Sequence, residues 1–300
     1  MMTHKLEKID NIVKKYELKE SCLYKLTTKE KMEKILFKKF KILSKLTKDS
    51  NYHIFCLEQK NGKKREIQVP KPGLLKIHKR IANLFYCIEV PDYLHSGVKG
   101  KSYITNAKAH LGNYPVLKID ISDFYNSISK KSIFNFFRIA MKAGEEIAGV
   151  LAGLCSYAEH LPTGSQISMP LSFFLNKKMF DELNNLSRKN NIAMSLYVDD
   201  LTFSGDNVNE LFLKQVKRII VNSGFNIKKE KTRLYGRNDN KLITGVIVKG
   251  DNIKVSNKQK KLIFNTPSKK TEKALIGRLH AAGNIEPFYK DLAKNPQWLF

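Results

Sequence analysis

The stretch Leu196-Tyr197-Val198-Asp199-Asp200-Leu201-Thr202-Phe203 sets two adjacent carboxylates between short runs of aliphatic, aromatic and β-branched residues. Such runs favour strands, so the sequence predicts a hairpin with the acids at or near its turn. Neighbouring side chains on a straight strand point to opposite faces, and a bend is needed to bring both acids to one place. Carboxylates held together repel unless a cation offsets their charge. Taken alone, an Asp-Asp pair is more often a solvated turn, or is neutralised by a Lys or Arg. The rest of the chain decides between these readings.

Upstream, Val116-Leu117-Lys118-Ile119-Asp120-Ile121 reads as a strand with Leu117, Ile119 and Ile121 on one face and Val116, Lys118 and Asp120 on the other. Asp120 then ends a mostly buried strand, where an unpaired carboxylate is costly and a metal ion is a natural resolution. The turn Ser122 to Ile128 opens a helix from Ser129 onward, and the hairpin acids follow 79 residues after Asp120. Strand, helices and hairpin suggest a βαβ-type arrangement that brings Asp120 next to Asp199. Carboxylates on neighbouring strands suit two Mg²⁺ ions about 3.5–4 Å apart, which clamp an in-line phosphoryl displacement. Hard cations of this kind take oxygen ligands.

The charge balance points the same way. The chain has 300 residues, with 54 Lys and Arg against 28 Asp and Glu, a net charge of +26 and a pI near 9.8. A polyanion offsets such self-repulsion, which makes nucleic acid the leading partner. A membrane is disfavoured, because no apolar run reaches about 18 residues; Ile147 to Ala158 is expected to be a buried helix. Lys5, Glu7, Lys8 and Asp10 break any signal-peptide pattern, and Cys22, Cys56, Cys87 and Cys155 form no CxxC pair. A reduced, cytoplasmic protein without a zinc ribbon or disulfide framework is expected.

The remaining elements follow from periodicity and punctuation. Residues 3–46 read as two Lys-rich helices broken near Leu26-Thr27-Thr28, with Thr28 as N-cap. Tyr52 to Cys56 and Arg65 to Val69 flank Asn61-Gly62 as a hairpin. Its basic tip, Lys60, Lys63, Lys64 and Arg65, either grips a phosphate chain or decorates an exposed turn. Helices are predicted over Leu74 to Cys87 and over Ser102 to Leu111, the latter with Asn106 and His110 on one face. The turn Leu161-Pro162-Thr163-Gly164-Ser165 leads into a long helix with Leu171, Phe174, Leu175, Met179, Leu183 and Leu186 in one stripe. Its glycine can let a substrate approach the backbone closely. Asn207 with Glu210 resembles a capping box. β-runs at Thr232–Tyr235, Leu242–Val248 and Lys254-Val255 precede basic helices from Ser256, broken at Pro267-Ser268.

With these motifs in order, the chain resembles a reverse transcriptase palm from about residue 50 to residue 285. Val116 to Ile128 is similar to polymerase motif A, Leu161 to Phe173 to motif B, Leu196 to Gly205 to motif C with its Tyr-x-Asp-Asp, and Gly224 to Thr232 to motif D. Asn106-Ala107-Lys108-Ala109-His110 is similar to the Asn-Ala-x-x-His element of bacterial retron reverse transcriptases, and Ile243-Thr244-Gly245 to their Val-Thr-Gly element. Motif B departs from the usual pattern: Thr163 stands where Gln is common and Met169 where Pro is. The end of the chain at residue 300 is read as suiting a compact retron enzyme.

The resemblance implies an α+β right-hand polymerase with fingers, a palm of antiparallel sheet packed on helices, and a helical thumb. Residues 1–50 would be an N-terminal helical extension, 51–115 the fingers with part of 129–165, 116–250 the palm with the primer grip, and 251–300 the thumb. It implies an RNA-directed DNA polymerase that copies part of a cognate structured noncoding RNA, self-primed from a guanosine 2′-OH. The product would be a branched RNA–DNA hybrid (msDNA), in an anti-phage system with a separate effector protein. Asp120, Asp199, Asp200 and the Ile121 carbonyl would hold two Mg²⁺ ions, with Mn²⁺ able to substitute. Lys63, Arg65, Tyr125, Thr163 and Gly164 would meet the deoxynucleoside triphosphate, with Tyr125 blocking a ribose 2′-OH. Asn106, His110, Thr244, Gly245, Lys269, Lys270 and Arg278 would meet the RNA or the template–primer. The alternatives are another bacterial reverse transcriptase, of diversity-generating or defence-associated type, an inactive RNA-binding scaffold, and an RNA-dependent RNA polymerase, against which Tyr125 speaks.

Overall fold

Local signals set most element boundaries. In the computed structural model, which describes residues 15–58, 62, 64–265 and 272–294, Thr28 caps the first helix, α1 (Lys29–Leu36), by accepting a hydrogen bond from the Lys31 amide. Phe37, at φ 54°, ends α1 and starts a turn into α2 (Phe40–Leu46). The hairpin strands β1 (Tyr52–Glu58) and β2 (Lys64–Pro70) pair antiparallel, and Pro72 opens α3 (Pro72–Tyr86). Then come α4 (Tyr103–Lys108), β3 (Val116–Asp120), α5 (Lys130–Asn135), α6 (Glu145–Leu154), α7 (Ser168–Leu175) and α8 (Lys177–Lys189). The hairpin strands β4 (Ala193–Tyr197) and β5 (Asp200–Ser204) follow, and after them α9 (Glu210–Asn222), β6 (Arg233–Tyr235), β7 (Lys241–Ile243), β8 (Val246–Lys249) and β9 (Asn252–Val255). Helices α10 (Asn257–Phe264), α11 (Glu272–Gly283) and α12 (Phe288–Lys294) complete the described chain.

The chain divides into two compact units, residues 1–90 with 128–171 and residues 91–127 with 172–300. In the first, the β1–β2 hairpin is exposed along most of β1. His78 of α3 is buried, with one ring nitrogen 2.5 Å from the Ser165 hydroxyl and the other 2.6 Å from the Leu154 carbonyl. Burial lowers its pKa to about 4, so the ring is neutral at ordinary pH.

The second unit is built on a sheet of order β4-β5-β3-β6. Strand β3 pairs antiparallel with β5, from Val116 opposite Ser204 to Asp120 opposite Asp200. Opposed residues share a face, so Leu117, Ile119, Met194, Leu196, Leu201 and Phe203 form one apolar face. Phe203 meets Phe212 of α9 edge-on at 5.4 Å, and Phe124 packs against Phe180 of α8 at 6.2 Å. A second sheet, β7-β8-β9, buries Val246, Val248 and Val255 with Ile263, Leu275, Leu279 and Tyr289 of the last three helices.

Several elements differ from expectation. Residues 15–28 hold only a short 3₁₀ turn at Leu18–Glu20, because Tyr16 bridges Ile88 and Lys25 takes a left-handed backbone. The long helix is split at Asn176, whose side-chain amide donates to the Ser172 carbonyl at 2.9 Å and competes with the helix backbone. Helix α9 is capped by Asn209, not Asn207: Asn209 accepts from the Phe212 amide, while Asn207 donates to the Asn190 carbonyl. The run Leu242–Val248 is a hairpin, with Thr244 (φ 43°) and Gly245 (φ 87°) as its two-residue loop. The arrangement of β3 and the acid hairpin is antiparallel rather than βαβ. The stretch 3–14, the hairpin tip at Lys60, Asn61 and Lys63, and the break at Pro267-Ser268 with Lys269 and Lys270 lie outside the described residues.

Truncating Phe203, fully buried against Phe212, is expected to cost about 3–5 kcal/mol as Phe203→Ala. Leu211→Ala, on a side chain 65% exposed, should stay within about 0.5 kcal/mol. Urea unfolding of both variants checks the contrast.

Candidate active site

The sheet register assembles the acids. Lys118 and Asp120 alternate on β3, and directly opposite them lie Thr202 and Asp200 on β5. Tyr197 pairs with Asp200 from β4, leaving only Val198 and Asp199 to make the turn. Val198 holds φ 61°, which for a β-branched residue costs of order 1–3 kcal/mol. Its amide donates to the Ser96 hydroxyl at 3.0 Å. Residues 93–96 run along the open edge of β4, where Leu196 donates to the Tyr93 carbonyl at 2.7 Å and accepts from the His95 amide at 2.9 Å. The Ile121 amide donates to the Asp199 carbonyl at 3.2 Å, and the Lys228 amide to the Asp120 carbonyl at 2.9 Å. Asp120 is thus fixed from the hairpin on one side and from residues 226–228 on the other. Its direct cross-strand partner is Asp200, where the sequence suggested Asp199.

Three lysines balance three carboxylates. Lys228 Nζ stands 2.8 Å from Asp120 Oδ1, as an ion pair rather than an aligned hydrogen bond, and Lys231 Nζ donates to Asp120 Oδ2 at 2.9 Å. Lys118 Nζ lies 3.5 Å from Asp200 Oδ1, which is buried without a hydrogen-bond partner. Burial, then the charges of Asp120 and Asp200, push the Asp199 carboxyl up to about 6. Burial also raises Asp200, with Lys118 opposing. The hydrogen bond to Asp120 raises Lys231. Lys118, Lys228 and Lys231 had no assigned role in the sequence reading. Only the alternation of Lys118 with Asp120, and the Lys-rich run after Gly224, could have signalled them.

Among the described residues, no group of three or more His, Cys, Asp or Glu side chains is drawn together tightly enough to hold a metal ion. Asp120 is instead turned to its lysines. The donor set nevertheless suits a hard divalent cation: three carboxylates, two with a buried oxygen that accepts no hydrogen bond and one raised by burial and by its neighbours' negative charge.

Of the other sequence-predicted residues, Arg65, Thr163 and Gly164 belong to the first unit, and Tyr125, Asn106, His110, Thr244, Gly245 and Arg278 to the second. Arg65 is exposed on β2. Thr163 is tied to that strand, its amide and hydroxyl both donating to Gln68 Oε1 at 2.9 Å. Gly164 is needed there because a Cβ would meet the Gln68 carbonyl oxygen at 2.6 Å; the backbone it admits is the chain's own. Tyr125 is half-buried, 5.8 Å ring to ring from Phe124. Asn106 and His110 are buried, and Thr244 is half-buried beside them. Arg278 donates to the Leu262 carbonyl at 3.0 Å and so ties α11 to α10.

An antiparallel sheet carrying acids from two adjacent strands, backed by helices, is the architecture of a polymerase palm. Residues 35–261 match the family described as reverse transcriptase (RNA-dependent DNA polymerase), and the chain belongs to that family. Its relatives include the retron Se72 reverse transcriptase of Salmonella heidelberg (strain 579083-10), 34% identical over 52% of this chain and 42% of that protein. They also include the retron Mx65 enzyme of Myxococcus xanthus, 30% identical over 66% of this chain and 51% of that one. The retron Ec86 reverse transcriptase of Escherichia coli is 24% identical over 72% and 69%. The chain spans about half the length of the first two. Among solved structures, a foamy viral protease-reverse transcriptase in complex with ds DNA is similar in fold, with a TM-score of 0.52 and 20% identity over 81% of this chain and 38% of that one. The fold is accordingly the right-hand polymerase fold with an antiparallel palm. Among the described residues, no helix is long and apolar enough to cross a membrane.

A raised carboxyl pKa means that the folded state binds the proton more tightly than the unfolded one. The stability penalty from Asp199 is therefore absent below the unfolded value, about 3.9, and complete above about 6. With chelator present, Asp199→Asn is expected to raise stability by about 1–3 kcal/mol at pH 7.5. It should have little effect near pH 4. Thermal melts of variant and parent at both pH values check the sign.

Proposed function

We propose that the protein is the RNA-directed DNA polymerase of a bacterial retron, copying part of a cognate structured noncoding RNA into single-stranded DNA. The observation that carries this reading is the cross-strand pair Asp120–Asp200 with Asp199 in the adjoining turn. The printed names of the relatives support the retron assignment, as do the Asn106 to His110 and Ile243 to Gly245 elements. Synthesis would start from a guanosine 2′-OH of that RNA and give a branched RNA–DNA hybrid, msDNA. The system would act against phage in the cytoplasm, with a separate effector protein. The fingers, palm and thumb would follow the ranges read from sequence.

Asp120 and Asp199 would hold two Mg²⁺ ions, or Mn²⁺ in their place, with Asp200 and the Ile121 carbonyl completing the ligand set. When bound, the ions would lower the pKa of the attacking hydroxyl and offset the charge of the triphosphate. Asp120 would have to release Lys228 and Lys231 before serving as a ligand, so these lysines compete with the cation for one carboxylate. Lys63 and Arg65 would hold the triphosphate, and Thr163 and Gly164 would shape the turn beside the nucleotide. Tyr125 would exclude a ribose 2′-OH. Thr244, Gly245, Lys269, Lys270 and Arg278 would serve the RNA or template–primer. Asn106 and His110, lacking exposed surface, would serve it from within the fold.

Asp199→Ala with Asp200→Ala is expected to abolish deoxynucleotide incorporation on an RNA template while RNA affinity is largely kept. Incorporation at the parent rate would overturn the assignment. Nucleic acid co-purified from the native host should contain a branched RNA–DNA species. An unbranched product would favour another class of bacterial reverse transcriptase.

A further inference from the structure

We propose that His110 is a positioning residue for the catalytic hairpin, its ring bolting β4 to β5 at Ser195 and Ser204. Both ring nitrogens are engaged: Nδ1 lies 2.7 Å from Ser204 Oγ and Nε2 lies 2.7 Å from Ser195 Oγ. The ring is 1% exposed. Burial, with the nearby His95 adding to it, lowers its pKa to about 3, so it stands neutral with one N–H. In either tautomer one serine hydroxyl accepts from the ring and the other donates to it, so the ring serves both strands at once.

The two serines flank the acids at equal spacing along the sequence. Ser195 is four residues before Asp199 and Ser204 four residues after Asp200. In register, Ser195 faces Thr202, and Ser204 faces Ala193 and Val116. All of these share the sheet face of Lys118, Asp120, Tyr197 and Asp200. The bolt therefore sits on the catalytic face, about 7 Å along the strand from Asp200 at its Ser195 end and about 13 Å at its Ser204 end, at the usual strand rise. Thr202, directly opposite Ser195, has its hydroxyl buried without a partner. Among the described residues, His110 is thus the side chain that cross-links β4 and β5 on this face.

A bolt works only if it is itself anchored. Ser102 caps α4, accepting from the Ile104 and Thr105 amides. The Thr244 hydroxyl donates to the Tyr103 carbonyl at 2.8 Å, and Asn106 Nδ2 reaches Thr244 Oγ1 at 3.5 Å. The loop of the β7–β8 hairpin, which belongs to the sheet bearing the last three helices, therefore holds the helix that presents His110. Ala107 of the same helix lies in one core with Val246, Leu275 and Leu279. Asn106 and Thr244 fix one end of this strut, and His110 fixes the catalytic hairpin to the other. The strut gives both sequence elements a shared mechanical role behind the catalytic hairpin.

The proposal rests on the reading of Asp199 and Asp200 as catalytic, and the test separates the two. On a primed homopolymeric RNA template, His110→Ala in the full chain is expected to lower kcat about 10- to 100-fold. The KM for the deoxynucleotide and the affinity for RNA should change by less than about twofold. Hydrogen exchange should accelerate in the amides of residues 196–203. His110→Gln, whose amide can still meet two hydroxyls, should recover part of the rate. An unchanged kcat, or weakened RNA binding with full kcat at saturating RNA, would overturn the proposal. If His110→Ala does not fold, Ser195→Ala and Ser204→Ala, which each remove one end of the bolt, decide by the same two readouts, and parent-like behaviour in both sinks it. A parent protein that incorporates no nucleotide would count against the polymerase reading, while the exchange data would still judge the bolt.

Discussion

Mutual repulsion among three carboxylates at one end of a half-buried sheet face is the constraint on which the rest of the structure turns. The sheet register forces it, since Asp120 and Asp200 are directly opposite and Asp199 is the next residue in the turn. Burial removes the water that would screen these charges, so the Asp199 carboxyl is pushed well above the usual range. Lys118, Lys228 and Lys231 offset the charge from the same strand and from the segment after α9. They also hold the site in a state that a divalent cation would have to displace. A site of this kind trades stability for chemistry.

Such a site needs rigid support. The hairpin turn keeps Val198 in a left-handed backbone, tolerated because Ser96 accepts its amide and residues 93–96 cover the strand edge. Buried imidazoles supply polar cross-links in both units. His78 ties α3 to the turn at Ser165 and to the end of α6, and His110 ties α4 to the hairpin. Both rings are neutral, and both nitrogens of each are used. A neutral ring with two satisfied nitrogens brings geometric specificity into a core without the cost of a buried charge.

Much of this was legible in the chain. Strict alternation in Val116 to Ile121 gave the face of Asp120, and the flanking strand formers located the hairpin, because period-2 patterning is a local property. Thr28 as a cap was likewise local, and so was the helix read from Leu74 onward, which Pro72 opens two residues earlier. The misreadings have one cause. The stripe from Leu171 to Leu186 looked continuous because the apolar pattern does not register a single side-chain amide turning back on its own helix. Leu242 to Val248 looked like one strand because Thr-Gly is a weaker turn signal than Asn-Gly, and Thr244 is held at positive φ by a hydroxyl bond to Tyr103, 141 residues earlier.

What the sequence alone determined is therefore the inventory: which residues are acids at strand ends, which faces are apolar, and which family's motifs occur in which order. Only the tertiary structure decided the pairing. It set Asp120 against Asp200 and gave Asp120 two lysines more than a hundred residues away. It also buried Asn106 and His110, which the sequence had placed together on one face of a helix. The physical reason is that register and burial are properties of segments meeting across long loops, where the partner of a polar group is chosen by what else must be buried. In the Tyr197 to Asp200 hairpin the residues announce a charged turn, and the sheet around them makes that charge a site.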